Sequence, residues 1–156
     1  MIDIKSMQPQ SRDILLKQKP MNVEIITRVK KNLRRKGVVL EQSQELDIWL
    51  ESIGCEGITM PGDPEVDALP TIVMHTGISA SGFFEELIHL GQIQNYGIKG
   101  TTAMSNVERL GYEIQAKEKV LAHINAYGVT RYEKKILIRL LNRDRINLEK
   151  AIAEDT

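Results

Sequence analysis

Apolar positions along the chain alternate between helical and strand-like spacings. From Asn22, the residues Val23, Ile26, Val29 and Leu33 recur at three- and four-residue intervals and predict a helix that Gly37 ends. Val38-Val39-Leu40 is short, apolar and β-branched, which predicts a strand. Ser43 stands as a cap before Leu46, Trp49, Leu50 and Ile53, a second amphipathic helix with Trp49 on its core face and Gly54 just past its end. Gly57–Met60 and 71–75 predict two more strands, separated by the turn-rich Pro61-Gly62-Asp63-Pro64-Glu65. A mostly apolar helix follows over 81–93, stopping near Asn95-Tyr96-Gly97, and a Gly/Thr-rich loop covers 98–104. Ser105-Asn106-Val107-Glu108 and Thr130-Arg131-Tyr132-Glu133 have capping-box spacing, opening one long helix to Tyr127 and another towards Ala153. Residues 1–21 hold Pro9 and Pro20 without sustained periodicity and predict a loose arm with a short turn near 13–17, leaving 22–156 as a single domain. The expected class is α+β: a small sheet packed with one central helix, followed by two long C-terminal helices.

Two of these helices place polar side chains on apolar faces. At about 100° per residue, Glu85, His89 and Gln92 share one narrow stripe, flanked by Ile88 and Ile93 while Phe84, Leu87 and Gly91 continue the apolar surface. A buried carboxylate or imidazole is costly unless it is paired, protonated or bound to a metal, so the stripe marks a candidate site. In the helix from 105 to 127, Leu110, Ile114, Val120, Leu121 and Ile124 form the core stripe, and Glu113 falls inside it while Glu108 and Glu118 project to solvent. Two roles are open to Glu113: an ion pair with Lys117 one turn later, or a third ligand facing His89.

Composition narrows the classes. With 21 basic and 21 acidic side chains in 156 residues, the net charge is zero, so no global attraction to nucleic acid or anionic membrane follows. The basic run 30–36 has no aromatic neighbours and reads as a solvated helix end, with nucleic acid not expected as a partner. A single cysteine, Cys55, rules out an internal disulfide and a thiolate metal cluster. No apolar run approaches the roughly 18 residues of a membrane span. Met1-Ile2-Asp3-Ile4-Lys5 lacks the apolar segment of a signal peptide, so the expected location is cytoplasmic, with export by a signal-less route left open.

Glu85-Glu86-Leu87-Ile88-His89 resembles the His-Glu-x-x-His helix of zincin metallopeptidases, in which two histidines bind zinc and the intervening glutamate is the base. Its surroundings are similar to zincin-like domains of phage head-associated proteins and bacterial polymorphic toxins. The likeness runs through Lys36-Gly37-Val38, the strands at 57–59 and 71–76, Leu90-Gly91-Gln92, Glu113-Ile114-Gln115-Ala116 and Tyr127-Gly128-Val129-Thr130, and covers roughly residues 30–150. It implies a gluzincin-type site: Zn²⁺ held by Glu85, His89 and Glu113, with Glu86 taking a proton from the attacking water and a peptide or protein as substrate. The chain departs from the family at Glu85, where the first histidine belongs. Carboxylate oxygen also binds zinc, but two carboxylates and one imidazole leave the centre formally neutral, so it acidifies water less than a two-histidine centre. The resemblance therefore implies a weakened metallopeptidase or, alternatively, an inactive zincin-like fold serving as a protein-interaction module.

Other residues fill out this expectation. Gln92 and Lys117 stand as partners of the ligands. His75, ending a strand just before the motif helix, is either an additional ligand or transition-state donor, or a structural histidine. His123 should be solvated. The strand at 71–75 is expected along the cleft, offering its edge to an extended peptide. The Glu86-x-x-His89 spacing also occurs in carboxylate-bridged di-iron bundles, but those need a second such pair, and neither Glu113 nor Glu118 has a histidine three residues on.

Overall fold

A computed structural model of the chain describes residues 20–96, except the side chain of Tyr96, and residues 104–155. The expected arm lies outside the described residues over 1–19, with its turn at 13–17, as does the loop over 98–103. In chain order the elements are α1 (Val23–Arg35), β1 (Val39–Glu41), α2 (Gln44–Ser52), β2 (Gly57–Met60), β3 (Thr71–Met74), α3 (Ala80–Tyr96), α4 (Asn106–Ala122), the single turn α5 (Ile124–Tyr127) and α6 (Arg131–Glu154), with a 3-10 turn at Pro64–Val66. The class is mixed α+β.

Side-chain caps define the helix starts. Asn22, Ser43, Ser105 and Thr130 each accept a backbone N–H from the first turn, and Thr130–Glu133 is a reciprocal capping box. The sheet has the order β1-β3-β2, with β1 parallel and β2 antiparallel to β3. Ile72, Val73 and Met74 are all buried, as an unbroken apolar run in a central strand should be. This corrects the expectation that 71–75 offers a free edge, because β3 is paired on both sides. The edge strand beside the motif helix is β2. His75 N–H donates to Glu56 O at 2.7 Å, so by the alternation of an antiparallel ladder Glu56, Ile58 and Met60 turn their main-chain groups to β3. Gly57 and Thr59 turn theirs outward.

Two apolar clusters meet at α3. Phe83 and Leu90 join Ile26, Val38, Leu40, Ile72, Met74 and Ile78 beneath the sheet. Phe84 and Ile88, a quarter-turn round the helix, pack against Val120, Val129 and Leu137 of the C-terminal part. The ring of Phe84 stacks on Tyr127 at a centroid distance of 3.9 Å. With two sides of α3 covered by apolar side chains, the sector bearing Glu85, Glu86, His89 and Gln92 is left to face a cleft.

Three local expectations are corrected. The helix expected to run unbroken to Tyr127 is interrupted at His123, whose ring Nδ1 donates to Lys119 O at 2.8 Å and so takes the carbonyl that the residue's own N–H would bind in a continuing helix. That N–H bonds Val120 O instead. Trp49 is 42% exposed, because α2 buries only Leu50 against a sheet three strands wide. Val23, in the first turn of α1, points away from the core and is exposed. Among the described residues, no helix is long and apolar enough to cross a membrane.

Candidate metal centre

The start of α3 is fixed by two carboxylates, the half-buried Glu56 and the buried Glu133. Ser79 N–H donates to Glu56 Oε1 at 3.0 Å, and Ser81 N–H donates to Glu133 Oε1 at 2.9 Å. The other Glu133 oxygen accepts Thr130 N–H at 2.8 Å, so one side chain both caps α6 and ties it to α3. Anions at this end suit the helix dipole. Gly82 leaves room for the Glu56 carboxylate, since a Cβ would lie 2.6 Å from its Oε2 and 3.1 Å from Ile78 Cγ1. Burial pushes the Glu56 carboxyl up to about 7, although its hydrogen bonds from Ser79 pull the other way.

One turn further along, Glu85 and His89 meet Glu113 of α4. Their ligand atoms all lie within 4.8 Å of one another, and His89 Nε2 is 3.6 Å from Glu113 Oε2. His89 Nδ1 bonds Gln92 Oε1 at 2.9 Å. Gln92 is itself fixed, because its amide nitrogen donates to Tyr112 O at 3.0 Å and to Gln115 Oε1 at 2.8 Å. The amide oxygen must therefore face the ring, which makes Nδ1 the donor and aims Nε2 at the carboxylates. Both partner assignments from the sequence, Gln92 to His89 and Lys117 to Glu113, correspond to observed contacts.

Lys117 does more than pair with Glu113. Its Nζ lies 3.1 Å from Glu113 Oε2, 3.2 Å from Glu85 Oε1 and 3.0 Å from Asp144 Oδ2 of α6, with only 7% of the side chain exposed. The two roles left open for Glu113 are thus not exclusive in space. Burial alone would raise the Glu113 carboxyl, but the His89 ring and the Lys117 ammonium outweigh it and hold it well below the usual range. Burial likewise works to depress His89, and Glu113, with Glu86 and Glu85 behind it, overcomes that and raises the imidazole to about 10. Lys117 is held charged by Glu85, Glu113 and Asp144 against the burial that would discharge it.

Glu86 points to the opposite wall. Thr59 Oγ1 donates to Glu86 Oε2 at 2.6 Å. Burial pushes the Glu86 carboxyl up to about 7, with His89 and the Thr59 bond opposing. The side chain fits because β2 has a glycine opposite it: a Cβ on Gly57 would stand 2.8 Å from Glu86 Cγ. Between β2, α3, α4 and α6 lies a cleft of about 300 Å³ whose lining includes Glu85, Glu86, His89, Glu113, Lys117 and Asp144.

His75 is not in the cleft lining. Its Nδ1 accepts Gly77 N–H at 2.9 Å and its Nε2 lies 3.3 Å from Glu51 Oε1, which is the structural alternative among the roles open to it. His123 is exposed, and so are the cationic side chains of the run 30–36. Cys55 lines the cleft, its thiol pushed up to about 11 by burial and by Glu86. Asp144, Thr59 and the second bond of Glu133, to Ser81 of α3, lie beyond the site residues expected from the sequence. Asp144 carried a readable signal, since it follows Leu137, Leu140 and Leu141 on the buried face of α6.

Comparison with known protein families, curated proteins and solved structures returns no match, so the site stands on its own geometry.

Proposed function

We propose that the chain is a divergent zincin-like metallopeptidase domain, with Zn²⁺ held by Glu85, His89 and Glu113, Glu86 as general base, and an extended peptide along β2 as substrate. The observation that carries this reading is the convergence of the three ligand atoms, with Gln92 orienting the imidazole towards the two carboxylates. One separation supports zinc: bonds of about 2.0–2.2 Å in a tetrahedron set neighbouring ligand atoms roughly 3.4 Å apart, close to the 3.6 Å between His89 Nε2 and Glu113 Oε2, and all three ligand atoms lie within 4.8 Å of one another. When bound, the ion supplies Lewis-acid chemistry, polarising a scissile carbonyl and making water a better nucleophile.

The chain's own groups supply the rest. Glu86, with its carboxyl near neutrality, takes the proton of the attacking water and returns it to the leaving nitrogen. Thr59 orients that carboxyl from the cleft wall. The outward main-chain groups of Gly57 and Thr59 pair with the backbone of an extended peptide, a role that passes from β3 to β2. A phage- or toxin-associated protein is the setting that the sequence resemblance supports.

A second reading, a catalytically silent fold acting through a protein partner, is favoured by one observation: Lys117 already supplies positive charge to Glu85 and Glu113. Metal content of protein purified without chelator and dialysed against zinc, together with hydrolysis of a mixed peptide library, separates the two. About one ion per chain and hydrolysis abolished in a folded Glu86→Gln variant support the enzyme. No retained metal and no cleavage give the chain to the second reading.

A further inference from the structure

We propose that the Lys117 ammonium is a built-in competitor of the metal ion, neutralising Glu85 and Glu113 in the ion's absence and weakening its hold when it arrives. This rests on reading residues 85, 89 and 113 as a metal centre. The oxygens that Nζ approaches on Glu85 and Glu113, at 3.2 and 3.1 Å, belong to two of the three ligand side chains. The charge is nearly out of water, so bulk solvent does little to screen it from an ion held by the same carboxylates. Asp144 anchors the ammonium from the far side at 3.0 Å. The i,i+4 step from Glu113 to Lys117 puts acid and base on one face of α4, and α3 and α6 bring Glu85 and Asp144 to that face.

Charge counting gives the direction. Glu85, Glu113 and Asp144 set against Lys117 and Arg143, whose guanidinium lies 3.5 Å from the other Asp144 oxygen, leave one net negative charge beside a neutral His89. Removing the Lys117 ammonium leaves two, the complement of one divalent ion, which should hold it more tightly and make the ion-free protein less stable. A lysine that served only to order its neighbours would have the opposite signature, because ligands set loose bind an ion less well.

The test uses the full chain with zinc as the probe. Zinc affinity is measured by calorimetry or chelator competition, alongside thermal melting with and without zinc. Lys117→Met should bind zinc at least about tenfold more tightly, a bound well below the effect of a unit charge on a dication at contact range. It should also melt lower without zinc and show a larger zinc-induced shift. Lys117→Arg, which keeps the charge, should stay near the wild type. Asp144→Asn removes a negative charge and turns the ammonium further onto the ligands, so it should bind zinc more weakly. That variant decides the matter if Lys117→Met does not fold. Zinc affinity unchanged or lowered in Lys117→Met, or unchanged or raised in Asp144→Asn, overturns the proposal. If the wild type holds no zinc but Lys117→Met does, the competition stands and the metallopeptidase reading falls. If neither holds zinc, the competition falls as well.

Discussion

Replacing Gln92 by leucine tests whether the imidazole of His89 is aimed by its neighbours. The side chain is 5% exposed and makes three hydrogen bonds, at 2.8, 2.9 and 3.0 Å. Two of its partners are insulated from the loss, since Tyr112 O lies inside a helix and Gln115 is exposed. His89 Nδ1 is not, because its ring is 17% exposed and its N–H then has no acceptor among the described residues. A stranded buried donor costs about 1–3 kcal/mol, and loss of a partner that orients a metal-bound histidine typically costs about 10–100-fold in affinity. Gln92→Leu should therefore unfold at lower urea by an amount within that range and bind zinc about 10–100-fold more weakly. Gln92→Glu keeps an acceptor facing Nδ1 and should retain most of the affinity. Urea titration followed by circular dichroism, with zinc calorimetry on the same samples, reads both quantities. Zinc binding by Gln92→Leu at wild-type strength would show that the ring needs no such guide and that the ligand geometry is accidental.

Two further outcomes follow from the same walls of the cleft. Gly57→Ala drives a methyl to within 2.8 Å of Glu86 Cγ and 3.2 Å of Val73 O, neither of them a freely moving end; it should cost about 1–3 kcal/mol by overpacking and displace the base, whereas a neutral change in urea midpoint contradicts the close approach. For the ion-free protein, His89 is raised on folding from 6.5 to about 10, so its stabilisation is complete below the lower value and is lost as pH climbs through the upper one. Glu86, raised from 4.5 to about 7, adds a fall of the same sign at lower pH. Urea midpoints should thus decline over the His89 window, and less so in His89→Gln; parallel slopes for the two proteins refute the assignment.

Much of this architecture was legible in the sequence because it is locally encoded. The caps at Ser43, Ser105 and Thr130 and the strand at Gly57–Met60 need only neighbouring residues to be recognised. Glu85, His89, Gln92 and Glu113 were likewise visible as polar breaks in apolar stripes. Pairing order was not, since nothing local to β3 says that β1 and β2 flank it; its unbroken apolar run was the available sign. Trp49 misled because amphipathic spacing says which face of a helix is apolar, not whether the facing layer is wide enough to cover it. His123 broke a helix through a side-chain bond to Lys119 O that periodicity cannot register. Asp144 obeys the same rule that singles out Glu113, a polar residue inside an apolar stripe, and it is the third acid that Lys117 serves.

That third acid changes how the cluster should be weighed. Buried ion pairs contribute little net stability, because the cost of taking charges out of water consumes most of their mutual attraction, and apolar side chains of similar volume often do as well or better. The junction of α3, α4 and α6 already has an apolar cluster on one flank, in Phe84, Ile88, Val120 and Leu137. Filling its polar sector with leucines would complete that packing. The chain instead assembles Glu85, His89, Glu113, Lys117 and Asp144 there, keeps Glu86 beside them, and fixes one ring nitrogen through Gln92. Stability alone supplies little reason for an arrangement that burial penalises, and the proposed function offers one in the handling of a cation or a proton.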